Sequence, residues 1–188
     1  MGLAFKIILV TPENISEHPG SICFINPKHE LYDKKVEWYR RQYQKGLRIK
    51  LLYIEGEKKA AGFIEYTPGE NCWRPVNARG YMFIHCLWTN GKRIQNQGLG
   101  SALISEVEKD AEGMAGVTVV TSDNAFMARK DLFIKKGYNE IAVLGKEQLF
   151  VKQFREAPLP EFIVKSGGST LKEGIFITYS CQCPWVAR

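Results

Sequence analysis

A glycine-rich turn that opens a helix constrains this chain more than any other feature. Gln95-Asn96-Gln97-Gly98-Leu99-Gly100 stands between an apolar, strand-like run (Tyr81 to Thr89) and an amphipathic stretch that begins Ser101-Ala102-Leu103-Ile104. Two glycines one residue apart let the backbone curl tightly and bring bare N–H groups close to a ligand. The first N–H groups of a helix have no internal partner, and the helix dipole gives that end about half a positive charge. Such a turn is an anion cradle, and a pyrophosphate is its natural guest; a plain turn or glycine cap is the alternative. Two familiar phosphate loops are excluded. No Lys follows the glycines as G-x-x-x-x-G-K-[S/T] requires, and G-x-G-x-x-G would need glycine at 103, where Leu103 stands.

The elements around the turn predict a mixed sheet with helices packed on it. Phe5 to Val10 is β-branched and apolar, a first strand. Tyr32, Val36, Tyr39 and Tyr43 recur at helical spacing between His29 and Gly46. Arg48 to Ile54 and Ala60 to Tyr66 are strands, Thr67 to Arg79 a polar insertion, and Tyr81 to Thr89 a strand. A helix from Gly98 to about Glu112 carries Leu99, Leu103 and Val107 on one face. Val117 to Thr121 is a short buried strand, and Phe126 to Lys136 a helix ended by Gly137. Tyr138 to Leu144 and Gln148 to Phe154 finish the sheet.

At 188 residues the chain is long enough for one domain with a real core. No apolar run reaches the ~18 residues of a membrane span. The opening Leu3-to-Val10 stretch runs into Pro12-Glu13-Asn14 without a signal-peptide cleavage pattern. Five scattered cysteines argue against a disulfide framework and for a reducing, cytoplasmic compartment. The net charge of +6 raises a nucleic-acid reading, but the basic residues are dispersed and no basic-aromatic platform accompanies them. Lys92 and Arg93, beside the turn, are either solvated loop charges or partners for the phosphates of a ligand.

With the two standard loops set aside, the turn reads Q/R-x-x-G-x-G/A, and here the chain resembles the GNAT family of N-acetyltransferases. Arg129-Lys130-Asp131-Leu132-Phe133-Ile134-Lys135-Lys136-Gly137-Tyr138 is similar to that family's fourth-helix ending, A-x-x-L-Y-x-K-x-G-F/Y. The resemblance covers about residues 4–154 and includes the order of elements. It implies an α/β (α+β) fold with a mixed, mostly antiparallel central sheet. It also implies acetyl-CoA as co-substrate, an amine as acceptor, and no metal. Carried over, the backbone of Gln95, Asn96, Gln97, Gly98, Leu99, Gly100 and Ser101 holds the coenzyme's pyrophosphate. An amide at Leu87, Trp88 or Thr89 polarises the acetyl carbonyl. Ile84-His85-Cys86-Leu87-Trp88 and Tyr179-Ser180-Cys181-Gln182-Cys183-Pro184-Trp185 bring the chain closer still to YoaP-like acetyltransferases, which carry an extra C-terminal segment.

Acetyl transfer to an amine needs a polarised carbonyl, a deprotonated amine and a stabilised leaving thiolate. A Lys-like amine of pKa ~10.4 is neutral only a few times in ~10,000 at pH 7, a deficit near ~4.6 kcal/mol that a positioned base offsets. His85 is the first candidate base, since an imidazole of ordinary pKa is mostly neutral at pH 7; a core histidine bonded to backbone is the plain alternative. Strict alternation groups His85 with Tyr81, Phe83, Leu87 and Thr89, and Cys86 with Met82, Ile84 and Trp88. Which face meets substrate stays open, so Cys86 is a possible acyl-accepting thiol, or an inert one. Glu65 on the neighbouring strand is a second possible base, or an exposed carboxylate.

Two positions depart from the family pattern. The fourth-helix Tyr that commonly protonates the sulfur falls at Phe133, which leaves Tyr81 or Tyr138 to substitute, release to solvent, or a non-catalytic acyl-CoA sensor. The Asn that often contacts pantetheine falls at Phe126, with Asn124 close by. The domain is expected over 1–154 and an extension over 155–188. In the extension Phe162 to Val164 and Ile175 to Tyr179 read as strands, Ser166-Gly167-Gly168-Ser169 as a flexible turn, and Cys181-Gln182-Cys183-Pro184 as the opening of a truncated module. Those strands are expected to dock on the core or on another subunit, as in a homodimer. Trp73 and Arg74 of the insertion, with the His29–Gly46 helix, are the expected walls of the acceptor site.

Overall fold

A computed structural model describes residues 3–18, 27–89, 97–123 and 128–164. Seven strands form one sheet: β1 (Phe5–Val10), β2 (Arg48–Ile54), β3 (Gly62–Pro68), β5 (Tyr81–Thr89), β6 (Gly116–Thr121), β8 (Glu147–Gln153) and β7 (Asn139–Leu144), in that spatial order. Two further short strands, β4 (Val76–Asn77) and β9 (Glu161–Phe162), pair with each other. Every neighbouring pair is antiparallel except β5 and β6. Helix α2 (Leu99–Asp110) is the crossover that this one parallel pair requires.

Helices cover both faces. On one, α2 buries Leu99, Leu103, Ile104 and Val107 against Leu52, Ile64, Tyr66, Ile84, Val117, Val119 and Phe150, and Phe133 of α3 (Lys130–Lys135) joins the same cluster. On the other, α1 (Tyr32–Gln44) sends Tyr39 into a core with Val10, Leu47, Ile49, Leu51 and Phe63, where its hydroxyl donates to the Val10 carbonyl at 2.8 Å. The apolar stripe expected on α2 is the one it buries. Helix α3 begins only at Lys130, after an extended Arg129, so the described helix is shorter than expected from its pattern.

Ion pairs fix α2 at its C-terminal half. Lys50 of β2 is buried, and its ammonium donates to Glu106 at 3.1 Å and Asp110 at 2.9 Å, while the Tyr66 hydroxyl donates to Asp110 as well. Glu108 on the adjacent side receives Lys136 at 3.2 Å and Lys152 at 3.0 Å. The insertion after β3 is ordered: Gly69 turns so close to Ala78 that any Cβ would lie 1.9 Å from the Ala78 carbonyl oxygen. Strand β9 then braces it, with Ile163 N–H donating to Pro75 and Phe162 packed beside Val76, Phe83 and Leu149. The second strand and the paired cysteines of the C-terminal segment lie outside the described residues. No helix among the described residues is long and apolar enough to cross a membrane.

Candidate active site

The site begins with one irregularity in β5. In the β3–β5 ladder Glu65 faces Cys86 and Tyr66 faces Ile84, so His85 is an extra residue with no partner. A bulge of this kind bends the strand and increases its twist. Pairing between β5 and β6 stops at the same point: it runs from Tyr81 opposite Gly116 to Ile84 opposite Val119 and no further. Strand β5 continues beside β3 to Thr89, and β6 continues beside β8 to Thr121. The sheet therefore opens into a cleft between them. Ile84 to Leu87 form one wall, Val119 to Thr121 the other, and Ala128 and Phe133 close one side.

The bulge also resets the alternation expected for β5. Met82 and Ile84 face α2, yet Leu87 also packs into the α2 core, while Cys86 and Trp88 join the cluster under α1. Phe83 and His85 stay on the side opposite α2, with ring centroids 4.8 Å apart. Hence His85 and Cys86 do not point to opposite faces, as strict alternation requires. Nothing in the residue types announces an extra residue in the ladder, which is why spacing alone assigned the faces wrongly beyond His85.

On the α2 side, Gly98 caps the helix at φ +77°, with open space where a side chain would begin. Among the described residues no side chain caps the helix there, and its first internal bond is donated by Ala102 to Gly98. Gly100 has a different task, since a Cβ there would lie 3.0 Å from Leu132 of α3. Leu99 shares a core cluster with Leu87, so the uncapped turn stands beside the opened end of the sheet. Of the residues expected to hold the coenzyme, Leu87, Trp88, Thr89, Gln97, Gly98, Leu99, Gly100 and Ser101 are described; Gln95, Asn96 and Asn124 lie outside the described residues.

On the opposite face, Glu65 and His85 flank Cys86. Glu65 is 6% exposed rather than solvated, directly across the ladder from Cys86, where side-chain roots are ~4.5–5.5 Å apart. Burial pushes its carboxyl up to about 7, against the pull of the Lys35 ammonium. His85 is as deeply buried, and burial, helped by the Arg74 guanidinium, holds its imidazole well below the ordinary pKa. Its ring lies flat on Trp73 at 3.5 Å with an interplanar angle of 1°. Neither His85 nitrogen, nor Trp73 Nε1, has a hydrogen-bond partner among the described residues. Arg74 is itself buried and donates to Glu147 at 3.2 Å. His85 is thus neutral but weakly basic, and Glu65 has the pKa suited to taking a proton near neutrality.

Two expected hydroxyls are elsewhere. Tyr81 sits opposite Gly116, at the paired end of β5, and accepts from Gln153 at 2.9 Å. Tyr138 packs edge-on to Phe133 at 5.5 Å but does not line the cleft. Burial and the nearby Glu108 carboxylate push its pKa upward. Neither is among the residues that line the cleft. Phe133, fully buried, lines it instead. The one hydroxyl among the described lining residues is that of Thr121, and it donates to the Ala128 carbonyl.

The fold has its counterpart in known proteins. Residues 17–133 match the family described as Acetyltransferase (GNAT) family. The chain belongs to that family. It is 29% identical to the uncharacterized N-acetyltransferase YoaP of Bacillus subtilis (strain 168), over 95% of this chain and 72% of that protein. Among solved structures, aminoglycoside 6'-acetyltransferase type Ii superposes with a TM-score of 0.58 at 18% identity, covering 81% of this chain and 99% of the other. The structure of yncA from Salmonella typhimurium with its cofactor acetyl-CoA gives a TM-score of 0.56, also at 18% identity, covering 84% and 98%. At such identities these structures share the fold: the α/β arrangement with a mostly antiparallel sheet flanked by helices. The chain is a GNAT acetyltransferase.

Proposed function

We propose that the protein moves an acetyl group from acetyl-CoA to a primary amine by direct attack within a ternary complex. One observation carries this reading: where β5 leaves β6 the sheet opens into a cleft lined by Cys86, which pairs with Glu65 of β3, and by Leu87, which shares a core cluster with Leu99 of the α2 turn. Coenzyme and amine then enter from opposite faces. The chain's groups fit a CoA thioester. The N–H groups of Leu99, Gly100 and Ser101 precede the first helical bond, which Ala102 donates to Gly98, and suit a diphosphate. Past Ile84, β5 has no β6 partner, so amides between His85 and Thr89 on that edge are available to a carbonyl oxygen.

Glu65 takes the ammonium proton of the acceptor, directly or through one water. The leaving thiolate finds no acidic hydroxyl at Phe133. A CoA thiol near pKa ~8.5 is a tolerable leaving group without one, and the slower step is compatible with turnover. His85 orients rather than abstracts, since its depressed basicity and its stack on Trp73 hold it neutral and fixed.

Calorimetry with acetyl-CoA, followed by thiol release over a panel of amines, tests the reading. Saturable binding with amine-dependent thiol release supports it. Binding without turnover on any amine favours a non-catalytic acyl-CoA sensor, the alternative that Phe133 supports.

A further inference from the structure

Strand β9 comes from beyond residues 17–133, the part of the chain that matches the family, yet it reaches the neighbours of His85. Phe162 stands opposite Val76 of β4 and packs on the cluster of Val76, Ala78, Phe83 and Leu149. The Ile163 N–H donates to the Pro75 carbonyl at 2.8 Å, and Asn77 Nδ2 donates to Glu161 Oε1 at 3.3 Å. These contacts bear on both rings that touch His85. Phe83, a member of the Phe162 cluster, has its ring centroid 4.8 Å from that of His85. Trp73, two residues before Pro75, lies flat on His85 at 3.5 Å.

The stacked rings have no other anchor of their own. Both His85 nitrogens and Trp73 Nε1 are buried without hydrogen-bond partners among the described residues. Ring packing alone therefore sets the angle of the imidazole that lines the cleft. A stack is only as fixed as the backbone that carries it. The loop bearing Trp73 is drawn together by the Cys72 thiol, which donates to the Arg74 and Val76 carbonyls at 3.5 and 3.4 Å, and Arg74 ties it to Glu147. Its strand β4 has two residues and pairs with β9, and a strand so short gains its order from its partner and its packing. We infer that Phe162, aided by the Ile163 N–H, is a positioning residue for acetyl transfer: β9 holds Trp73 and Phe83 against His85 and so shapes the acceptor side of the cleft. Phe162 acts through these rings and does not line the cleft itself. This rests on the acetyltransferase reading above and extends it to a segment outside the family match.

The test uses the full chain with Phe162→Ala, Phe162→Leu and Ile163→Pro, the last of which deletes the N–H donor while altering an exposed side chain. Diethyl pyrocarbonate labelling, mapped by peptide mass spectrometry, reads the access to His85 against exposed His29 in the same molecule. Relative labelling of His85 should rise ~10-fold or more in Phe162→Ala and ~3–10-fold in Ile163→Pro, and stay within about 3-fold of the native chain in Phe162→Leu. Asp110→Ala, which loosens α2 on the other face, should leave it unchanged. With the fastest of butylamine, spermidine and kanamycin as acceptor, kcat/KM for the amine should fall ~10–100-fold in Phe162→Ala and recover in Phe162→Leu. Acetyl-CoA affinity by calorimetry should hold within about 2-fold. Should Phe162→Ala fail to fold, Ile163→Pro carries the same readouts. His85 labelling unchanged in the folded variants overturns the inference while leaving acetyl transfer intact. So does an equal rise in Asp110→Ala, or a kcat/KM that falls no further than acetyl-CoA affinity does. Absence of acetyl-CoA binding by the native chain overturns this inference together with the reading on which it stands.

Discussion

Glu65 is the residue whose environment most departs from what its chemistry prefers. A carboxylate on a central strand, 6% exposed, is held near neutrality in pKa by burial, with Lys35 only partly compensating. The sign of the consequence is fixed. Its folded-state pKa lies above the unfolded value of 4.5, so the stability it permits is complete below that value and is lost as pH rises through about 7. Replacing it with glutamine should therefore stabilise the fold at pH 8 by about 2–4 kcal/mol, a gain that vanishes towards pH 4 and is read by urea denaturation. The same variant should lose ~10²-fold or more in kcat. In the native protein kcat should rise through about pH 7 and level off, an inflection absent from Glu65→Gln. A variant that is both less stable and fully active would remove Glu65 from the chemistry. A residue that is costly to fold and needed for rate is the usual signature of a functional group.

At the scale of elements, the start of α2 matters for function and its end holds it there. The helix is tied to β2 and β3 through Lys50, Tyr66 and Asp110, and to α3 and β8 through Glu108. Tyr66 is buried, and both burial and its bond to Asp110 raise its pKa, so it remains a donor at any physiological pH. Asp110→Ala leaves the buried Lys50 with Glu106 alone and the Tyr66 hydroxyl without its acceptor. It should cost about 1–3 kcal/mol in denaturant unfolding, and no loss would mean that α2 is held by its apolar face only. Much of this element plan was legible beforehand. Tyr81–Thr89 and Arg48–Ile54 have the ends that their apolar runs predict, and Leu99, Leu103 and Val107 face the core. The bulge was not legible, because one extra residue in a ladder leaves no mark in a run such as Phe83-Ile84-His85-Cys86-Leu87. Glu65 was misjudged for a related reason: a lone acid in a strand reads as solvent-facing until the covering helix and insertion are known.

Across the whole molecule, function comes from a sheet that is continuous on one side and parted on the other. The bulge at His85 and the end of β5–β6 pairing at Ile84 coincide, so in the proposed reading one region of backbone serves both substrates. The insertion carrying Trp73 and Arg74 was expected as a polar loop. It is instead a braced cover, because β9 from the C-terminal segment pairs with β4 inside it. That long-range pairing could not be read from two-residue strands. The resemblance seen in the turn and in the Phe133–Tyr138 ending pointed to the right family; Phe133 lines the cleft and Tyr138 packs behind it. The most direct test is a crystal structure of the protein with CoA. The account predicts the diphosphate on the amides of Leu99 to Ser101 and the sulfur between β5 and β6, within reach of the edge from His85 to Thr89. A coenzyme bound elsewhere, with its sulfur outside that opening, would contradict it.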